Sequence, residues 1–288
     1  LERRIDLKGQ LTGVDTGLTA LNEMLGGWQA GDLVYLAARP SVGKTALALN
    51  TARRAAELGH TVAVFSLEMS REQNELRLVS SMCGVMLYKI LRGYLYDADY
   101  TALSNAMNAL HELPIFIDDS SSINVGSIRA KCRQLKSKRS LRFVIVDYIQ
   151  LMTDSAYGTN RTQDLASISR RFKLLAKELG VTFIVLSQLN RAPEGRADSR
   201  PRLSDLRESG ALEQDADVVL IIHRQDHKVG GDAELIVEKQ RNGPTGVLTV
   251  NFDPATVTFS DATVSETKST ARTKTSRTTK NRLPEDET

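Results

Sequence analysis

The sequence predicts an α/β domain: a mostly parallel, twisted central sheet flanked by helices, with a C-terminal hairpin. Three observations carry this. Short apolar, β-branched runs recur along the chain. Helix-forming segments separate them, and that is how parallel strands are joined. Two of those helical segments are followed at once by glycine, Gly59 and Gly180, a common helix stop.

The elements follow in order. Residues 1–12 are polar and charged and read as the end of a linker, with a domain over 13–260 and a tail over 261–288. Residues 16–22 open a short helix. Residues 33–37 (LVYLA) form a strand, followed by a glycine-containing loop and a helix over 44–58. Residues 61–67 (TVAVFSL) are a buried strand, and 70–83 a helix with Ser70 as N-cap. Residues 114–118 give a short strand, 123–138 an amphipathic basic helix, and 142–147 (RFVIVD) a buried strand that ends in an acid. A helix over 162–179 precedes a strand over 181–187. Residues 190–212 read as one long loop rich in Arg, Gly and Pro. A strand over 217–223 follows, and 234–239 pairs with 247–252 as a hairpin across Asn242-Gly243-Pro244-Thr245-Gly246. No element is assigned between residues 84 and 113, and there is no internal repeat.

Composition excludes several classes. The chain has 288 residues, 41% hydrophobic and 25% charged, which is ordinary for a soluble globular protein and not for a wholly disordered one. No apolar run approaches the roughly 18–20 residues that span a bilayer. The start, Leu1-Glu2-Arg3-Arg4, is charged and lacks the apolar core of a signal peptide. A first residue other than Met suggests a fragment or processed product with something missing before it. Cys83 and Cys132 have no metal or redox spacing, so a reducing cytoplasm is expected. Net charge is +3, and the tail, with six Lys/Arg against four Asp/Glu over 263–288, supplies +2 of it. That Ser/Thr-rich tail reads as disordered. The body is nearly neutral, so any nucleic-acid site must be local.

Ala38-Arg39-Pro40-Ser41-Val42-Gly43-Lys44-Thr45 is nearly the phosphate-binding pattern GxxxxGK[ST], between a strand and a helix as that loop requires. Gly43 lets the backbone approach phosphate oxygens. Ser41, Gly43, Lys44 and Thr45 form the phosphate-facing end, with backbone N–H groups and the helix N-terminus supplying positive potential. Lys44 reaches the β- and γ-phosphates, and the Thr45 hydroxyl ligates Mg²⁺. The departure is Ala38 in place of the first glycine.

Residues 143–147 (FVIVD) form a Walker-B-like strand whose Asp147 holds Mg²⁺ through water at the ligand edge of the sheet. Glu68 ends the second strand and can polarise an attacking water; spacing alone leaves a capping or surface glutamate as an equal reading. Gln188 ends another strand at the same edge. Its amide can report on a γ-phosphate without titrating, and a solvated strand-end amide is again an equal reading.

These segments occur in a familiar order: 38–45, Ser-Leu-Glu-Met-Ser (66–70), Val-Asp-Tyr-Ile-Gln-Leu (146–151), Ser-Gln-Leu-Asn-Arg (187–191), Asp-Leu-Arg-Glu-Ser-Gly (205–210), Gln-Asp-Ala-Asp (214–217) and Glu-Lys-Gln-Arg-Asn-Gly-Pro-Thr-Gly (238–246). Over roughly residues 12–255 the chain closely resembles the C-terminal ATPase domain of the DnaB-type replicative DNA helicases, some of which carry alanine where Ala38 stands. The resemblance implies a RecA-like P-loop fold and an ATP- and Mg²⁺-dependent homohexameric ring that moves 5′→3′ on single-stranded DNA. A bacterial or phage-infected cytoplasm is implied, with primase and a helicase loader as partners and no membrane. It implies Glu68 as catalytic base, Asp147 as Walker-B acid, Gln188 as sensor and Arg77 as a γ-phosphate contact. Lys239 and Arg241 become the pair that reaches a neighbouring subunit's nucleotide. The segment with Arg207, Glu208 and Gly210 becomes the central-channel loop that holds DNA, and the family's N-terminal, primase-contacting domain is absent.

The 190–210 loop also carries Arg191, Arg196, Arg200 and Arg202, suited to sequence-independent phosphate contacts. It holds no aromatic residue, so base stacking is not expected. The basic stretch 129–142 reads as a solvated face. Two other classes stay open. A strand-exchange recombinase of the same fold would form a filament rather than a ring. A non-translocating ATP switch would show no DNA-stimulated hydrolysis.

Overall fold

A computed structural model describes residues 11–121, 123–152, 161–189, 200–206, 210–224 and 230–262. The apolar runs become strands β1 (Leu33–Ala38), β2 (Thr61–Ser66), β3 (Ile115–Asp118), β4 (Leu141–Asp147), β5 (Thr182–Gln188), β6 (Val218–His223), β7 (Gly231–Gln240), β8 (Gly246–Asp253) and β9 (Thr258–Asp261). Helices α1 (Thr19–Leu25), α2 (Lys44–Glu57), α3 (Arg71–Cys83), α4 (Leu87–Arg92), α5 (Asp97–Glu112), α6 (Val125–Arg139), α7 (Arg161–Leu179) and α8 (Gly210–Asp215) fall between them.

One sheet holds the strands in the order β3-β2-β4-β5-β1-β6-β7-β8-β9. Pairing is parallel from β3 to β6 and antiparallel from β6 to β9. Every residue of β1, β2 and β6 is buried. Continuous apolar strands of this kind need helices over both faces of the sheet. On one face α2 presents Ala48, Ala52, Ala55 and Ala56, small residues that let its backbone come close to Val34, Leu36 and Ile145. On the other, Leu165, Ile168 and Phe172 of α7 pack with Ile128 of α6 against Tyr35, Val144 and Phe183. Phe172 and Phe183 stack with ring centroids 5.6 Å apart.

Helix ends follow local chemistry. Ser70 caps α3 by a reciprocal capping box with Gln73. After α2, Gly59 has φ +80° and its N–H donates to Ala56 O at 2.8 Å, while His60 N–H donates to Ala55 O at 3.0 Å. The left-handed turn is one that a Cβ would strain.

The structure departs from the sequence-based expectation in three places. Residues 84–113 carry α4 and α5, a hairpin on α3 around Val79, Val85, Leu103 and Ala106. Tyr88, Leu91, Tyr94, Tyr96, Tyr100 and Met107 are exposed there, so no clean apolar stripe marks these helices. The expected loop over 190–212 is not uniformly irregular. A 3₁₀ turn spans Leu203–Asp205 and α8 begins at Gly210, because Leu206 and Leu212 are core residues. Third, the hairpin is extended by β9 on its outer edge, with Thr258–Asp261 paired to β8. The basic stretch behaves as a solvated face: Arg129 and Arg133 of α6 pair with Glu178, and Lys131 with Asp118. Among the described residues no helix is long and apolar enough to cross a membrane.

Candidate active site

Strand β1 delivers the chain to the loop at residues 39–43, and α2 starts at Lys44. Ser41 has φ +64° and Gly43 φ +112°. A Cβ at Gly43 would also meet the Phe259 ring at 3.0 Å, so the glycine is required twice over. Ala38 is the last residue of β1, fully buried, and its φ is not positive. The place of the missing glycine therefore asks for nothing that alanine lacks.

Three neighbouring strand ends complete the site. Asp147 closes β4; its Oδ2 accepts a 2.7 Å hydrogen bond from Thr45 Oγ1, and its Oδ1 lies 3.8 Å from Lys44 Nζ. Lys44 Nζ also sits 4.4 Å from the centroid of the Tyr148 ring. Burial lowers the Lys44 pKa, while the charges of Asp147 and Glu68 pull it back up. Arg77, on α3, is likewise lowered by burial and raised by the same two carboxylates. An anion with several charges would relieve both cations.

Glu68 lies two residues past β2, not at its end as expected. Its turn is fixed on both sides. Leu67 N–H donates to Asp147 O at 2.7 Å, and Ser66 Oγ donates to Met69 O at 2.6 Å while accepting from Asn74 Nδ2 at 3.0 Å. Gln188 does close β5. Its backbone is clamped by Gln150: Gln188 N–H donates to Gln150 Oε1 at 3.2 Å, and Gln150 Nε2 donates to Ser187 Oγ at 2.8 Å.

Lys44, Thr45, Glu68, Arg77, Gln188, Ser41 and Gly43 line one cavity of about 420 Å³. Asp147 is tied to it through Thr45 and Lys44. Sequence reasoning missed the cavity's other wall, Arg224, Phe252, Pro254 and Val257. Arg224 follows the apolar run of β6 at the same sheet edge, a readable signal. Phe252, Pro254 and Val257 belong to the hairpin and no motif marks them. Tyr148 and Gln150 stand inside the Val-Asp-Tyr-Ile-Gln-Leu segment but were not singled out.

The donor set fits a magnesium ion. Asp147 Oδ1 is buried and has no hydrogen-bond partner among the described residues. Among the described residues no group of three or more His, Cys, Asp or Glu could cage a metal. One carboxylate, one hydroxyl, water and phosphate oxygens are what Mg²⁺ usually accepts.

Lys239 and Arg241 are not brought to this cavity. β7 runs antiparallel to β6, so its end meets the beginning of β6 and β1. Arg241 N–H donates to Asp217 O, and Asp217 N–H to Leu33 O, the first residue of β1. The phosphate-binding loop leaves the other end of β1, roughly 16 Å away at about 3.3 Å per residue. Lys239 Nζ donates to Glu213 O, and Arg241 to Gln214 O at 3.3 Å, both carbonyls at the end of α8. Gly210 opens α8. Arg191, Arg196, Arg207 and Glu208 lie outside the described residues. Arg200 is paired with Glu234 at 3.1 Å.

Comparison with known proteins shows the family and the fold. The family model "DnaB-like helicase C terminal domain" matches residues 13–261. The replicative DNA helicase DnaB of Leifsonia xyli subsp. xyli is 46% identical over 260 residues, covering 88% of this chain and 57% of the relative. The replicative DNA helicase DnaC of Bacillus subtilis is 43% identical over 259 residues, with the same coverage, 88% and 57%. The chain thus spans a little over half the length of these relatives. Two solved structures superpose well: the ATPase domain of G40P (TM-score 0.86, 37% identity, 91% of this chain and 95% of that one) and a DnaB-like replicative helicase studied with primase (TM-score 0.85, 37% identity, 90% and 64%). The expected RecA-like arrangement is the one they share.

Proposed function

The chain belongs to the DnaB-like helicase C-terminal domain family, and from that premise we propose that it is the ATP-driven motor domain of a replicative DNA helicase. The motor works as a homohexameric ring that travels 5′→3′ on single-stranded DNA in the cytoplasm, with primase and a loader as partners. Residues 13–260 are the motor, 1–12 the end of a linker and 261–288 a polar tail. The observation that carries the reading is the split site. Lys44, Thr45, Asp147, Glu68, Arg77 and Gln188 gather at one edge of the sheet, and Lys239 and Arg241 stand at the opposite edge of the same strands.

In this mechanism the loop amides and Lys44 hold the β- and γ-phosphates, with Arg77 as a further contact. Thr45 and Asp147 would hold Mg²⁺, which neutralises charge on the phosphate oxygens when bound. Glu68 accepts the proton of the water that attacks the γ-phosphorus, and the bridging oxygen leaves with ADP. Gln188 senses the γ-phosphate through its amide. Arg241, with Lys239, neutralises the transferring phosphoryl group of the neighbouring subunit, a contribution on the order of 10³–10⁵ in other NTPases. The segment around Arg191, Arg207, Glu208 and Gly210 holds the DNA backbone.

The test is ATP hydrolysis measured with and without single-stranded DNA across protein concentration. The expected result is a rate per subunit that rises as rings form and rises again with DNA. A rate that is proportional to concentration and indifferent to DNA overturns the motor in favour of a self-contained ATP switch. Strand exchange by filaments would favour the recombinase.

A further inference from the structure

Arg241 is not loose at the end of its strand. Its side chain is 47% exposed, yet residue 217 grips it twice. The Asp217 carbonyl accepts the Arg241 N–H at 2.8 Å, and Asp217 Oδ1 lies 3.3 Å from Arg241 Nε. Asp217 itself is 4% exposed and cannot swing. Its Oδ2 accepts from Leu33 N–H at 2.8 Å and from Lys173 Nζ, and Lys173 also donates to Gly31 O at 2.9 Å. One buried carboxylate thus joins the first residue of β1, a buried lysine of α7 and the half-exposed arginine. A carboxylate fixed by two donors is a stiff anchor for a third, because its remaining oxygen has no freedom to follow a moving partner.

We propose that Asp217 is the positioning residue for Arg241, clamping the guanidinium to the first rung of β1 so that it is presented pre-oriented to a neighbouring subunit's nucleotide. This rests on the reading of Arg241 as a trans-acting arginine. The clamp uses Nε and the Gln214 carbonyl takes one Nη2 hydrogen, while Nη1 has no partner among the described residues. A group held this way keeps donors for a phosphoryl oxygen and gives up little orientational freedom on meeting it. β1 begins at this anchor and ends in the phosphate-binding loop, so each subunit's own nucleotide and the arginine it lends are joined by a single buried strand.

The experiment is subunit mixing with Asp217→Asn. Rings of this variant should keep the KM for ATP and lose turnover by about 10²-fold, the scale of a roughly 1 Å misplacement. Mixed with Lys44→Ala subunits, they should regain hydrolysis. The intact phosphate loop of the Asp217→Asn subunit then faces the intact clamp of a Lys44→Ala neighbour. A role confined to the fold of its own subunit would not be rescued by a neighbour. Asp217→Asn leaves Lys173 as a buried unpaired charge and so endangers folding. The double variant Asp217→Asn/Lys173→Met removes both charges and should show the same loss and the same rescue. Parental turnover in either variant overturns the proposal. So does a loss that Lys44→Ala subunits do not restore, when Arg241→Ala mixes are restored. If Arg241→Ala mixes also recover nothing although mixed rings form, the trans-acting arginine itself is refuted, and the clamp with it.

Discussion

The turn that carries Glu68 is held by the Ser66, Met69 and Asn74 hydrogen bonds on one side and by Leu67 N–H on Asp147 O on the other, so an amide can replace Glu68 without moving the turn. Glu68→Gln should therefore bind ATP as the parent does and lose turnover by about 10²–10⁴-fold, which paired binding and single-turnover assays would read directly; normal hydrolysis would move the base elsewhere. The residues of the site differ in how readable they were. Lys44, Thr45 and Asp147 announce themselves because the chemistry fixes their types within a few positions of a strand end. Tyr148 and Gln150 act through contacts with Lys44, Ser187 and Gln188, far away in sequence, and single-sequence spacing holds no trace of those, whereas Arg224 could have been read from its place just after an apolar strand. Asp32 is another hidden residue. Burial, and then the charge of Asp217, push its carboxyl up to about 6, against the smaller pull of Lys173 and Arg241. Between pH of about 4 and about 6 the folded chain holds this proton more tightly than the unfolded chain does. The contribution of Asp32 to stability therefore falls as pH rises through that window and is at its least favourable above pH 6. Asp32→Asn removes the titration, so its melting temperature should gain on the parent's from pH 4 to pH 7. A gap that stays constant with pH would show that Asp32 is not the group responsible.

At the scale of elements, α3 carries Arg77 and begins immediately after the Glu68 turn, so its N-terminus sets the position of two site residues. Ser70 holds that end through the capping box with Gln73. Ser70→Ala should cost about 1 kcal/mol in denaturant titrations, with the m-value unchanged, because a cap is lost and no surface is added. A loss well above 2 kcal/mol would mean that Ser70 does more than cap. The same helix shows where element prediction works. Its start was legible because capping is a local signal, and so were the parallel strands, whose unbroken apolar runs are hard to place anywhere but between two layers. The α4–α5 hairpin was illegible for the opposite reason. Its core is the small cluster of Val79, Val85, Leu103 and Ala106, and its many exposed tyrosines blur the helical period. α8 was hidden by its six-residue length inside an arginine-rich stretch, where Leu206 and Leu212 are the large apolar residues that, among the described ones, mark the return to the core.

Across the whole molecule, charge is nearly balanced, with +3 in total and most of it in the tail. A chain with so small a net charge gains little general attraction to DNA from its total charge, so on the proposed reading local cations near the strand carry a measurable share of binding. Arg207 is the cation whose loss is easiest to isolate. The resemblance places it in the channel segment, and that segment ends at Gly210, where α8 begins. α8 in turn holds Lys239 and Arg241 by its last carbonyls. On the proposed reading, the DNA-holding segment and the arginine lent to the neighbour meet the two ends of one short helix, and Arg207 then matters for coupling as well as affinity. Arg207→Ala should weaken single-stranded DNA binding about equally for every sequence, because a phosphate contact reads no base. It should also reduce the slope of log affinity against log salt by about 0.7, the single-strand value for one released counterion. Hydrolysis without DNA should stay near the parental rate, since Lys44, Thr45, Glu68, Asp147 and Gln188 are all kept, and DNA stimulation should fall. Titrations at several salt concentrations with two unrelated oligonucleotides decide the matter. An unchanged salt slope, or a loss confined to one oligonucleotide, would mean that Arg207 does not hold the backbone and that the channel segment lies elsewhere in the chain.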